Sequence, residues 1–265
     1  MFTAIWITTL AGMAALFGAL LAIVPRVGGS ADRWLPRGLA FAAGVMLCVS
    51  VLELMPESVS ELRLGQGTFS TAEALAVALA VALAGALAMR LLEMTPWLTH
   101  PEDGYENRSS AMTRVSLLTA LSLGIHNFPE GMAVFVSNLE PAASGAGPDS
   151  TGIALAVAVA VHNIPEGLAV ALPVLLAGGS RLQALGLAGL SGLAEPLGAL
   201  LAWAVLAPFL SPLVMGVIFA AVSGMMVYIS LKTLLPAAMS MGPLRESGVS
   251  LLGGVAAMAI ALFAF

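Results

Sequence analysis

Residues 123–136 read LGIHNFPEGMAVFV, and residues 160–174 read AVHNIPEGLAVALPV. The hexapeptide His-Asn-x-Pro-Glu-Gly thus occurs twice, at His126–Gly131 and His162–Gly167, 36 residues apart. Each copy sits inside a long apolar run, over 112–137 and 150–177. Roughly 20 apolar residues suffice to cross a bilayer. An ionisable group at bilayer depth costs roughly 2.5–3.5 kcal/mol on insertion scales and marks function by default. Two copies of so costly a string identify the runs as membrane spans with a polar interior.

The rest of the chain agrees. Of 265 residues, 59% are hydrophobic and 9% charged, and mean hydropathy is +0.99. Soluble domains carry about 25% charged residues, so an ordinary globular domain, a disordered chain and a nucleic-acid binder are excluded. The apolar runs are too long and too unalternating for a β-barrel. The expected fold is an all-α polytopic membrane protein forming one domain, 1–265. Its eight spans lie near 3–24, 36–56, 72–94, 112–137, 150–177, 182–207, 212–235 and 247–265. The longest connector, about 95–111, holds His100, Glu102, Asp103, Glu106 and Arg108. The single cysteine, Cys48, permits neither an intrachain disulfide nor a thiolate cluster. No basic residue precedes Arg26, so the first run reads as a retained helix rather than a cleaved signal.

Basic residues near span ends set orientation. Arg26, Arg33, Arg37, Arg90, Arg108, Arg114, Arg181, Lys232 and Arg245 flank the loops after spans 1, 3, 5 and 7; the opposite side has only Arg63. The expectation is a cytoplasmic (inner) membrane protein with both termini on the periplasmic or extracellular side.

The motif spacing has chemical content. His126 and Glu130 are i and i+4 on one helix face, as are His162 and Glu166. Asn127 and Asn163 stand about 100° around and reach the same cleft. Each motif proline removes a backbone hydrogen bond, predicting kinks in spans 4 and 5 around a central site. Each motif glycine admits close approach of another backbone. Imidazole, carboxylate and amide oxygen together suit zinc, iron, manganese, cobalt or nickel. Glu195, mid-span 6 beside Pro196, is a further buried acid, and Met46 offers a soft thioether. Glu53 and Glu57, late in span 2, are candidates for the metal pathway. Glu130, Glu166, Glu195 and Glu53 together carry the charge to neutralise two divalent ions, which motivates a two-metal site whose filling releases protons.

Simpler readings exist for each group: a helix–helix hydrogen bond for Glu195, a solvated helix end for Glu53 and Glu57, core filling for Met46. A rival function is an intramembrane metallohydrolase with Glu130 or Glu166 as general base. Against it, His-Glu-x-x-His is absent, and duplicated, near-equivalent halves fit passage better than asymmetric chemistry. No nucleotide-binding Gly-rich loop is present, and the membrane potential alone moves a divalent cation inward by roughly 4.6 kcal/mol per 100 mV.

The two hexapeptides, with FAAGVML at 41–47 and SGLAEPLGALLAW at 191–203, resemble the ZIP (Zrt-, Irt-like protein) metal transporters, nearest to their bacterial ZupT-like branch. The likeness runs over the whole chain. It implies a divalent-metal importer carrying zinc, with iron, manganese, cobalt and cadmium as further cargo, through a binuclear centre between spans 4 and 5. By the same resemblance the ligands are His126, Asn127, Glu130, His162, Asn163 and Glu166, with Glu195 completing the second site and Met46 joining the first. The metal is cargo, so no resident cofactor is implied; a homodimer is, and export is the alternative direction. Two departures stand out. Some relatives have Asp where this chain has Asn163, and many carry acidic or His residues near the inner end of span 7, where this chain has Lys232.

Overall fold

The computed structural model describes residues 2–23, 31–67, 69–94, 117, 119–121, 123–125, 127–128, 130–132, 134–135, 138, 150–201, 203–204 and 211–264. Among them there is no strand. The helices are α1 (Phe2–Ile23), α2 (Ala31–Val49), α3 (Met55–Gln66), α4 (Thr71–Glu93), α5 (Ser150–Leu176), α6 (Arg181–Gly192), α7 (Ala194–Leu201), α8 (Pro212–Ile229), α9 (Leu235–Met241) and α10 (Leu244–Ala264). Every described residue of 117–138 is helical as well. Among the described residues, seven stretches are long and apolar enough to cross a membrane; the expected fourth span lies only partly within them.

Large apolar side chains face outward on these helices. Leu83 on α4 is 72% exposed and Ile260 on α10 is 70% exposed. Faces this apolar suit a membrane or a protein partner rather than water. Polar residues are buried instead: Asn127, Asn163 and Glu195 are fully enclosed.

Two spans run past the prolines where the sequence pattern ends them. The second was expected to stop at residue 56 and continues to Gln66; the seventh was expected to stop at 235 and continues to Met241. The reason is the same in both. Over Ser50–Leu54 and Ser230–Leu234 the helix widens by one residue per turn, so the Met55 amide donates to the Ser50 carbonyl and the Leu235 amide to the Ser230 carbonyl, five residues back. The following Pro56 and Pro236 then sit in the first turn of a fresh helix, where a missing N–H does little harm. α2–α3 and α8–α9 are thus two continuous rods, each with a π-turn at its middle.

The rods are copies. Adding 180 to a residue number in the first part of the chain often gives the same residue: Gly12/Gly192, Gly18/Gly198, Gly44/Gly224, Met46/Met226, Ser50/Ser230, Pro56/Pro236, and GALLA at both 18–22 and 198–202. The two rods run antiparallel, since Ser50 meets Ser223 while Ser58 meets Gly216. A repeat whose mates are antiparallel is an inverted repeat, an arrangement that places a binding site near the middle of the membrane.

Glycines set the crossings in matched pairs. A Cβ at Gly44 would strike the Leu251 carbonyl and one at Gly254 the Phe41 carbonyl, joining α2 to α10; Gly85 and Gly224 do the same for α4 and α8 through Ala221 and Ala82. α1 crosses α5 through Gly18 and Gly167, and Gly12 meets Gly192 of α6. Two packed groups result: α1, α5, α6 and α7 in one, and α2, α3, α4, α8, α9 and α10 in the other, with α2 lying along α5 between them.

Candidate metal centre

Five polar side chains of the motif region are buried in this otherwise apolar interior: Asn127, Glu130, Asn163, Glu166 and Glu195. Burying a charge without a partner is too costly to persist, so their placement has to be mutual. The structure shows how two of the links are made. The Asn163 amide nitrogen donates to the Ala11 carbonyl of α1 at 2.9 Å and to Glu195 Oε1 of α7. The Asn127 amide, turned so that its nitrogen meets acceptors, donates to the Leu123 carbonyl at 2.8 Å and to Glu166 Oε2 of α5 at 3.1 Å. In the opposite orientation that nitrogen reaches the Ser191 carbonyl of α6 at 3.3 Å. Each motif asparagine therefore grips the acid of a neighbouring helix. A line of amide–carboxylate pairs crosses from the 117–138 segment through α5 to α7.

Local structure supplies the positions. α5 passes through both Pro165 and Pro173 without ending, so the regular donors to the Val161 and Ala169 carbonyls are missing there. Gly131 and Gly167 do what their place in the motif suggests. A Cβ at Gly131 would collide with the Glu195 backbone, and one at Gly167 with the Ala15 carbonyl. Glu130 and Glu166 are thereby carried into close helix crossings. Glu195 follows a break: α6 ends at Gly192, Leu193 turns, and α7 restarts at Ala194. That places its carboxylate in the first turn of α7, where the helix dipole favours negative charge, and Pro196 beside it needs no N–H partner.

The predicted residues are not all equally placed. His126 lies outside the described residues, and so does the side chain of His162. Met46 is buried on α2 within the main apolar cluster. Glu53 is half-buried on the first π-turn, and Glu57 is exposed on α3. Among the described residues, no three His, Cys, Asp or Glu side chains stand close enough together to hold a metal. What is assembled among the described residues is an amide and carboxylate set.

The donor chemistry fits a divalent cation. Asn163 spends its nitrogen on Ala11 and Glu195, while its Oδ1 is buried and has no hydrogen-bond partner. A buried carbonyl oxygen left over in this way is a ready cation ligand. Two supporting groups were not visible in the motifs. The Ala11 carbonyl orients Asn163. Gly12 leaves room for the Glu195 carboxyl, which a Cβ there would approach to 3.1 Å. The only sequence signal for Gly12 is its repeat mate Gly192.

A family profile described as ZIP Zinc transporter matches residues 97–262. Among curated proteins, the chain is 41% identical to "Zinc transporter ZupT" of Corynebacterium efficiens, over 98% of this chain and 96% of that one. It is 39% identical to the protein of the same name from Chlorobium luteolum, over 98% and 96%. With that of Streptococcus mutans it shares 37% identity over 100% and 98%.

Proposed function

The chain belongs to the ZIP zinc transporter family, and from that premise we propose that it carries zinc inward across a cytoplasmic membrane through a two-metal site shared by the 117–138 segment, α5 and α7. It is a transporter rather than an enzyme. The observation that carries the reading is the buried line of amide–carboxylate pairs, Asn127–Glu166 and Asn163–Glu195, at the crossing of the two repeated motifs. Apolar side chains pack more cheaply than these groups, and a moving cation gives them a purpose.

In this reading His126, Asn127, Glu130, His162, Asn163, Glu166 and Glu195 hold the metal, and Met46 reaches the first position from α2. Glu53 on the π-turn and Glu57 one turn beyond it attract cations along the outer half of the α2–α3 rod. Zinc arriving at the site displaces the Asn127 and Asn163 amide nitrogens from the carboxylates and turns their oxygens to the metal. Metal binding and proton release are linked, because the same carboxylate oxygens take either. A potential of 100 mV contributes roughly 4.6 kcal/mol to inward movement of a divalent ion, near a thousandfold accumulation. Iron, manganese, cobalt and cadmium share the ligand preferences and are further cargo. Both termini face outward, and a homodimer is the assembly.

The test is radiolabelled zinc uptake into proteoliposomes, wild type beside Glu130→Ala and His162→Ala. Saturable uptake lost in both variants is the expected result. Undiminished uptake in either variant would remove the motifs from the pathway.

A further inference from the structure

Many helical glycines of this chain admit a neighbouring backbone. Gly124 and Gly186 do not: a Cβ built on either meets nothing within 4 Å. Gly124 instead borders a cavity of about 770 Å³ bounded by the 117–138 segment, α6–α7 and α8. Phe128 and Met132 stand on one wall, Leu190 and Ala194 on the second, Ile218 and Met225 on the third. Ser191 is the one polar residue lining it, and it is buried. The cavity separates the two packed groups, since α6 and α7 belong to one and α8 to the other. It opens sideways, where Leu121 and Ile125 of its lining are exposed.

Gly186 borders a second cavity, of about 630 Å³. Leu117, Leu187 and Leu190 line both, so the two form one continuous crevice. Its far end differs in chemistry. There it is bounded by Gly178 and Gly179 of the α5–α6 turn and by the exposed Gln183. Arg181, two residues before Gln183, is exposed at the first position of α6 and makes no ion pair among the described residues. The crevice is thus apolar along its depth, with a polar, cationic mouth. From Leu117 to Met132 it follows about 22 Å of helix at 1.5 Å per residue. One leaflet's share of the hydrocarbon core is about 15 Å.

We infer that this crevice seats one acyl chain of an anionic phospholipid, its tail alongside Gly124 between the two helix groups and its head group at Arg181. Length and polarity select the occupant. Apolar space of this kind is not held by water, and no protein atom fills it at Gly124 or Gly186. At bilayer depth the apolar matter at hand is a lipid tail. A guanidinium beside the mouth pairs with a phosphate oxygen, and its charge favours a head group that carries no cation of its own. On the orientation proposed above, this mouth lies in the cytoplasmic leaflet, whose surface is anionic. The seated tail touches Phe128, next to Asn127, and Ala194, next to Glu195. It therefore joins helices of the metal centre to α8 of the other group. A lipid site here requires only the membrane spans, not the cargo or the direction of transport.

The experiment places the full chain in phosphatidylcholine nanodiscs with rising amounts of phosphatidylglycerol that carries a photoreactive diazirine on one acyl chain. Labelled peptides are mapped by mass spectrometry after irradiation. The expected result is that labelling of 117–132, 187–194 and 218–225 saturates, while labelling of the outward faces around Leu83 and Ile260 rises in proportion to the probe. Gly124→Trp and Gly186→Trp each fill the crevice and bring its labelling down to the level of those faces. Arg181→Gln lowers the preference for phosphatidylglycerol over an equally tagged phosphatidylcholine by about fivefold, the worth of one basic residue at a membrane surface. Crevice labelling that never saturates, or that survives both tryptophans, overturns the site. Equal labelling of the wild type by the two lipids overturns the head-group assignment. Crosslinks between two copies through 117–132 would give the crevice to a second chain instead. If one tryptophan variant does not fold, the other decides, and saturation in the wild type decides without either. Both leaflets of the disc hold the same lipids, so a reversed orientation leaves these outcomes unchanged.

Discussion

Replacing Asn163 by Asp separates the empty site from the filled one. In the empty protein the Asn163 nitrogen holds the Ala11 carbonyl at 2.9 Å and Glu195 Oε1. Asp has no nitrogen to offer. The change removes a hydrogen bond to a charged acceptor, on the order of 1.5–3 kcal/mol. It also sets two carboxylates against each other, about 4 kcal/mol at 4 Å for an effective dielectric of 20. Uptake of one proton by the pair relieves part of this, leaving a net loss of about 3 kcal/mol. At about 2–4 °C per kcal/mol for chains approaching this size, the metal-free variant should melt on the order of 6–12 °C below wild type. A divalent cation reverses the sign, since the added carboxylate becomes an added ligand. Zinc should therefore raise the melting temperature of Asn163→Asp by more than it raises that of the wild type. The assay is thermal unfolding in detergent, each protein with chelator and with saturating zinc. Equal melting temperatures without metal, or a smaller zinc-induced rise in the variant, would refute the placement of Asn163 between Glu195 and the cargo.

Other outcomes follow from the same geometry. Gly131→Ala should lower the melting temperature sharply, because its Cβ meets the Glu195 backbone, whereas Gly124→Ala, with nothing within 4 Å, should be neutral or stabilising by up to about 1 kcal/mol. Met46→Leu keeps the volume of this buried position and should leave the fold intact; a roughly tenfold loss of cadmium affinity relative to zinc, read by competition binding, would place the thioether in the site. Lys232 is exposed on the second π-turn, and Lys232→Glu should slow zinc release from preloaded protein without changing its equilibrium binding at the central site. Release at the wild-type rate would show that the outgoing ion does not pass this turn.

Much of the centre was legible because its chemistry is written locally. His-Asn-x-Pro-Glu-Gly supplies the asparagine and glutamate that are found buried and the glycine for the crossing that buries them, and Gly131 and Gly167 do meet other backbones. The ends of the second and seventh spans were not legible. Proline normally stops a helix, and nothing near Pro56 or Pro236 announces that a π-turn will absorb it. The repeat at 180 residues was present in the letters, most plainly in GALLA, but its identities are mostly small residues that any membrane helix uses. Their shared role appears only when Gly12 and Gly192 are seen in contact. Glu195 could be singled out from its sequence, while its partner could not, since the bond from Asn163 joins residues on different helices.

The bond between Asn163 and Glu195 also bears on what the protein does when it carries nothing. A polar hole through a membrane under tension of 100 mV would short the cell, admitting protons or sodium along with any wanted ion. Here Asn127 and Glu166, and Asn163 and Glu195, occupy one another. Glu166 and Glu195 each accept a hydrogen bond from an asparagine amide on another helix, so a stray monovalent ion must break these bonds for the return of a single charge. A divalent ion gains twice the field energy and satisfies several oxygens at once. On the transport reading proposed above, the asparagines serve as an electrical seal that a divalent ion is suited to open.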